Sequence, residues 1–133
     1  MANDMPTTDA EWKEMLTPEQ YRVMREAGTE APFSGTYAQD HERGMYVCAA
    51  CGQELFSSDT KFDSGTGWPS FTDPVNRENI DLVPDDRGGM HRTEVRCKRC
   101  GSHLGHLFDD GPPEKGGKRF CINSVCLMKK PME

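Results

Sequence analysis

Six cysteines in a chain of 133 residues are the side chains whose types and spacing promise chemistry. Four of them form two copies of one pattern, CAACG (Cys48, Cys51) and CKRCG (Cys97, Cys100). A CxxC turn lets two thiolates converge on one ion, and the following glycine allows the tight backbone that such a turn needs. Two turns make a tetrahedral four-thiolate site for one structural Zn2+ per chain, stapling segments that residues 52–96 separate. A closed site leaves no position for a catalytic water, so the chemistry belongs elsewhere. Other readings are four packed thiols, His103 replacing one ligand, or a redox CxxC pair. The duplication and the missing thioredoxin-like βαβ pattern speak against the last.

The other two cysteines lie in KRFCINSVCL, residues 118–127. If RFCINSV is a strand, its side chains alternate between faces. Arg119, Cys121 and Asn123 then share one face, and Phe120 and Ile122 point to the other. Positive charge beside a thiol favours the thiolate, which makes Cys121 a candidate nucleophile. The pattern equally allows a small buried hydrophobe, a common fate for cysteine. Cys126 falls on the Phe120 and Ile122 face, and five residues of strand span about 16 Å. A disulfide needs Cα atoms within about 7 Å, so a Cys121–Cys126 bond requires a sharp bend after Ser124 or local unfolding.

The elements that must hold these groups are short. The length suits one domain, residues 1–133, with 1–8 as a loose polar tail. DAEWKEML allows one or two helical turns from Asp9. TPEQYRVMREAG is the stronger helix, with Thr17 as N-cap, Pro18 at the first helical position and Gln20 completing a capping box. Tyr21, Met24 and Ala27 fall on one face, and Gly28 ends it. From Pro32 onward MYVCAACG, ELFSS, GWPSFT, IDLVP, GMHRTEVRCKRCG, HLGHLF and KRFCINSVCL read as short strands or turns between Gly, Pro and Asp loops. The expected fold is mainly β behind a short helical N-terminus.

A net charge of −6 argues against a nucleic-acid binder held by phosphate contacts, although HRTEVRCKRC is locally basic. No apolar run approaches a membrane span, and MANDMPTTDA lacks a signal-peptide core. A reducing, cytoplasmic setting is therefore expected, in which six cysteines point to metal or catalysis rather than a disulfide framework.

SGTGWPSF (64–71), GSHLGHLFDDGP (101–112) and RFCINS (119–124), together with the CxxCG knuckles, resemble the B-type methionine-R-sulfoxide reductase family from about Asp9 to Met128. The resemblance implies a β body of two antiparallel sheets, a structural zinc, and reduction of the R epimer of methionine sulfoxide in proteins, peptides or the free amino acid. Repair of oxidised proteins under oxidative stress would be its role, by a monomer without nucleic-acid or membrane partners. It also implies Cys121 as nucleophile, with attack on the sulfoxide sulfur giving methionine and a sulfenic acid. His106 becomes the main acid, with His103 polarising the oxygen or positioning a water. Arg119 would stabilise the thiolate, Asn123 would hold a water or the substrate, and Trp68 would face the S-methyl group. Phe71 and Phe108 either line the pocket or pack, while His41 and His91 read as surface or structural.

One departure concerns how the enzyme is reset. Many members carry a resolving cysteine where this chain has Thr66. The expectation is that an external thiol, such as thioredoxin, glutaredoxin or glutathione, reduces Cys121 directly. A rival from another class is a non-catalytic zinc module recognising protein or RNA through Arg92, Arg96, Lys98 and Arg99.

Overall fold

Alternating side chains on short strands decide where each layer turns its apolar face. The computed structural model describes residues 8–26, 28–29, 43–62, 67–85 and 92–131. Thr66, His41, His91 and Ala27, each given a reading above, lie outside these described residues, as do residues 1–7 of the expected tail. Two antiparallel sheets result, as expected. The smaller places β1 (Gly44–Cys48) between β2 (Glu54–Ser57) and β9 (Leu127–Pro131). The larger runs in the order β3 (Lys61–Phe62), β4 (Ser70–Phe71), β8 (Arg119–Ile122), β7 (His103–Phe108), β6 (Arg92–Cys97) and β5 (Ile80–Asp85). Its neighbours are all antiparallel.

The two sheets share a core. Tyr46 and Phe56 from the smaller sheet meet Phe71, Val95, Leu104, Phe120 and Ile122 from the larger. Phe56 stacks on Phe71 with ring centroids 4.5 Å apart, and Tyr46 meets Phe71 edge-on at 5.3 Å. Each such pair adds about 0.5–1.5 kcal/mol beyond area burial.

The N-terminal helices close one end of this core. Helix α1 (Asp9–Met15) starts at a capping box between Thr8 and Glu11, so Thr8 caps a helix rather than ending the tail. Helix α2 (Pro18–Met24) has the expected box between Thr17 and Gln20. It stops at Met24 rather than running on to Gly28. Beyond it the Gly28 N–H returns to the Arg22 carbonyl at 3.0 Å. Trp12, Leu16, Val23 and Met24 are buried against the sheets. Arg25 lies over the Trp12 ring at 4.2 Å and donates to the Cys100 carbonyl and the Ser102 hydroxyl, joining the helices to the second knuckle.

Strand β7 departs from regular pairing with β6. Val95 faces Gly105 but Arg96 faces His103, so Leu104 is the extra residue of a bulge. Such bulges re-aim the side chains that follow them. Next to it the β8 backbone comes so close that a Cβ on Gly105 would collide with the Cys121 carbonyl oxygen. Gly105→Ala is therefore expected to destabilise the chain by at least about 1–3 kcal/mol, the cost of overpacking a fitted core. Urea unfolding measures it, and an unchanged midpoint would show that β7 and β8 separate freely.

Candidate active site

Arg119, Cys121 and Asn123 line one cleft of about 170 Å3, as the alternation of β8 requires, while Phe120 and Ile122 enter the core. Trp68, Gly105, His106, Phe108, Arg92 and Thr29 complete the wall. The volume is below the roughly 300–1,000 Å3 of drug-sized ligand sites and suits a single side chain.

Cys121 is half-buried and is the cross-strand partner of His106 on β7 and of Ser70 on β4. Arg119 is fixed from two sides. Asp110 accepts from its Nε at 2.7 Å and its Nη2 at 3.2 Å, and the Phe108 ring lies 4.5 Å below the guanidinium. Asp110, with Cys121 contributing, raises the Arg119 pKa above its ordinary value, while Arg119 holds the Asp110 carboxyl below the usual range. Phe108, open to two readings in the sequence, lines the cleft; Phe71 is a core ring.

Both histidines are tied to carboxylates on other strands of the larger sheet. His106 Nε2 is 2.7 Å from Oδ2 of Asp85, at the end of β5, and His103 Nδ1 is 2.7 Å from Oε2 of Glu94 on β6. Glu94 also accepts from Arg96 at 2.9 Å. Burial alone would raise the Glu94 carboxyl, but hydrogen bonds from Arg96 and His103 outweigh it and hold it below the usual range. The imidazoles stand edge to face with centroids 5.4 Å apart. His106 faces the cleft, whereas His103 lies behind it, 3% exposed. Asn123 lines the cleft and also anchors the turn, its side-chain amide donating to the Leu104 carbonyl at 3.0 Å.

Cys126 is fully buried in the core, where its thiol donates to the His103 carbonyl at 3.3 Å. The chain does bend after Asn123, in a 3-10 turn over Ser124–Cys126. That turn directs Cys126 inward, onto the opposite side of the sheet from the cleft.

The four knuckle sulfurs gather in one cluster, all within 4.8 Å of one another. Cys48 and Cys100 sulfurs are 3.7 Å apart, and Cys51 and Cys97 sulfurs 3.5 Å. A tetrahedral ion with sulfur ligands at about 2.3 Å sets its sulfurs about 3.8 Å apart, so the cluster fits a metal ion. Gly52 (φ 81°) and Gly101 (φ 75°) adopt the left-handed conformation that closes each knuckle. Contact with Cys100, then with Cys51 and Cys97, drives the Cys48 thiol far up, while contact with Cys48 pulls Cys100 far down. A cation relieves that conflict by drawing all four to thiolates. His103, bound to Glu94, stays outside the cluster.

Asp85, Glu94, Asp110 and Arg92 were missed as site residues. In RTEVR the period-two spacing of Arg92, Glu94 and Arg96 marks one polar face, and that signal was available. Nothing local marks Asp85 as the partner of His106. The four cations of the suspected basic patch also divide. Arg92 enters the cleft, Arg96 closes on Glu94, and Lys98 and Arg99 are exposed on the knuckle turn.

Comparison with known proteins gives the family. A SelR-domain profile matches residues 16–131. The chain belongs to the SelR-domain family. SelR-family relatives include peptide methionine sulfoxide reductase MsrB of Methanosarcina barkeri, 60% identical over 95% of this chain and 88% of that protein. MsrB of Thiobacillus denitrificans is 54% identical over the full length of both. The probable methionine-R-sulfoxide reductase B of Caenorhabditis elegans is 53% identical over 94% of this chain and 83% of that protein. A crystal structure of the Mis18 Yippee-like domain superposes with TM-score 0.50 over 69% of this chain and 99% of that one. At 18% identity it shows a shared fold alone.

The Glu94 carboxylate also gives the stability of this chain a pH dependence. A carboxyl held below its ordinary value of 4.5 contributes stability above that value and loses it as pH falls through the lower folded value. Glu94→Gln is expected to be less stable than the parent at neutral pH and to flatten the stability loss below about pH 4.5. Urea midpoints across that range test this, and parallel curves for the two proteins would reject it.

Proposed function

We propose that this chain reduces the R epimer of methionine sulfoxide, with Cys121 as nucleophile. It is an oxidoreductase acting on methionine sulfoxide, as its SelR-domain relatives are named. The observation that carries the residue-level reading is one small cleft lined together by Cys121, Arg119, His106 and Trp68.

In the first step the Cys121 thiolate attacks the sulfoxide sulfur, and a proton reaches the sulfoxide oxygen. Net, thiolate, sulfoxide and one proton give methionine and Cys121 sulfenic acid; two electrons pass from the cysteine sulfur to the substrate sulfur. Arg119, clamped by Asp110 and Phe108, offers the thiolate a fixed positive charge at no further ordering cost. His106 is the proton donor, its ring fixed by Asp85, because imidazole is suited to transfer near neutral pH. His103, behind it and held by Glu94, orients that ring and polarises the site. Trp68 faces the S-methyl group, whose partial positive charge in a sulfonium-like sulfur an indole attracts by about 0.5–2 kcal/mol. Asn123 holds the substrate or a water at the end of β8.

The reset falls to an external thiol. A first thiol condenses with the sulfenic acid to a mixed disulfide and water, and a second releases the Cys121 thiol and a disulfide. Thioredoxin, glutaredoxin or glutathione supplies both. The burial of Cys126 on the far side of the sheet supports this route over an internal disulfide. Cys48, Cys51, Cys97 and Cys100 would hold one zinc ion, which would cross-link β1 to β6 and leave no open ligand position. A shared core supports a single domain, and a reducing, cytoplasmic setting would keep Cys121 available as a thiol. Among the described residues no helix is long and apolar enough to cross a membrane. The working form is a monomer that repairs oxidised-methionine proteins or peptides.

Cys121→Ser is expected to abolish turnover of peptide methionine-R-sulfoxide while keeping the fold and about one zinc per chain. A variant that retains activity, or a parent protein without it, would defeat the assignment. After one stoichiometric turnover, non-reducing peptide mapping should find Cys121 oxidised and Cys126 still a thiol. A quantitative Cys121–Cys126 disulfide would reject the external-thiol route.

A further inference from the structure

A second guanidinium faces the cleft, and the reaction gives it no task. Arg92, at the start of β6, lines the same cavity as Cys121, His106 and Trp68. It is loosely held: its Nη2 is 3.8 Å from Oδ2 of Asp85, an oxygen that lies 2.7 Å from His106. Its Nε is buried and has no hydrogen-bond partner among the described residues. A buried N–H in that state is costly, and an acceptor from a ligand would relieve it. About a third of the side chain is exposed, which leaves the remaining N–H groups open to an incoming molecule.

Register gives the reach. Cys121 pairs with His106, His106 pairs with Glu94, and Arg92 lies two residues from Glu94 along β6. Strand spacing of about 4.8 Å and a rise of about 3.3 Å put the Arg92 and Cys121 Cα atoms about 12 Å apart. A sulfoxide sulfur at Cys121 carries its own main chain two methylenes away, at the mouth of a cleft that Arg92 also lines. The polarity is one-sided as well. Among the described residues Cys121 and two guanidiniums line the cavity and no carboxylate does, Asp85 being 2% exposed beside His106. That arrangement stands out in a chain of net charge −6.

We infer that Arg92 is a substrate-binding residue that takes a carboxylate beside the oxidised methionine. A guanidinium fork matches a carboxylate with two parallel hydrogen bonds. The carboxylate has two sources: the α-carboxylate of a free or C-terminal methionine sulfoxide, or the side chain of an adjacent acidic residue. This rests on the functional reading above.

Four R-sulfoxide substrates separate the sources. They are N-acetyl-methionine sulfoxide and its neutral N-methylamide, and two blocked tripeptides in which Glu or Gln follows the sulfoxide. Each is assayed with the parent, Arg92→Lys and Arg92→Gln. The parent is expected to favour the carboxylate member of one pair by about tenfold in kcat/KM, through KM, and that pair identifies the source. Arg92→Gln should bring the ratio close to one, and Arg92→Lys, which keeps the charge without the fork, should retain part of it. Because both members of a pair are read on one preparation, a partly unfolded variant leaves the ratio intact. No carboxylate preference in the parent, or a preference that survives Arg92→Gln, overturns the inference. So does an equal fall in kcat on all four substrates with a displaced pH profile, which would place Arg92 behind Asp85 and His106. A parent inactive on every R-sulfoxide overturns the functional reading itself, and this inference with it.

Discussion

The bulge at Leu104 is the constraint on which the site depends. A strand puts residues three apart on opposite faces, so a regular β7 could not show His103 and His106 to the same side. One extra residue opposite β6 restores a common face, with His103 across from Arg96 and His106 across from Glu94. Leu104 meanwhile remains fully buried in the core. The bulge thus lets one strand serve an apolar layer and a polar cleft without sacrificing either. Gly105 completes it, since only a residue without a side chain admits the backbone of β8 at that distance.

Around the cleft, each imidazole and the Arg119 guanidinium has a carboxylate partner. Asp85 backs His106, Glu94 backs His103, and Asp110 holds Arg119. Ion pairs of this sort contribute little to stability when exposed and can cost stability when buried. Here they serve orientation: each functional group receives a fixed direction from another strand or loop. A thiol beside such a cation needs no reorganisation of its surroundings when it ionises.

Local grammar made much of this legible. Thr17, Pro18 and Gln20 spelled out the start of α2, the two CxxCG turns announced the sulfur cluster, and the alternation of RFCINS sorted Cys121 from Phe120 and Ile122. What escaped depends on distance along the chain. Strand β9 has no apolar alternation of its own and exists because β1 offers it an edge. Asp85 and His106 meet only after β5, β6 and β7 have paired. Helix α2 ends at Met24, four residues before the glycine whose N–H returns to the Arg22 carbonyl. Thr66, on which the question of resetting turned, lies outside the described residues.

The pairing of β1 with β9 also sets a timetable. Gly44 pairs with Pro131, the longest sequence separation in the sheets, and such contacts form late because the loop they close must be ordered first. During synthesis all four cluster cysteines leave the ribosome before Cys121 does. The thiols that gather around a metal can therefore be gathered before the reactive one exists, while the smaller sheet waits for the last strand. The chain order keeps the two kinds of sulfur apart in time, as the fold later keeps them apart in space.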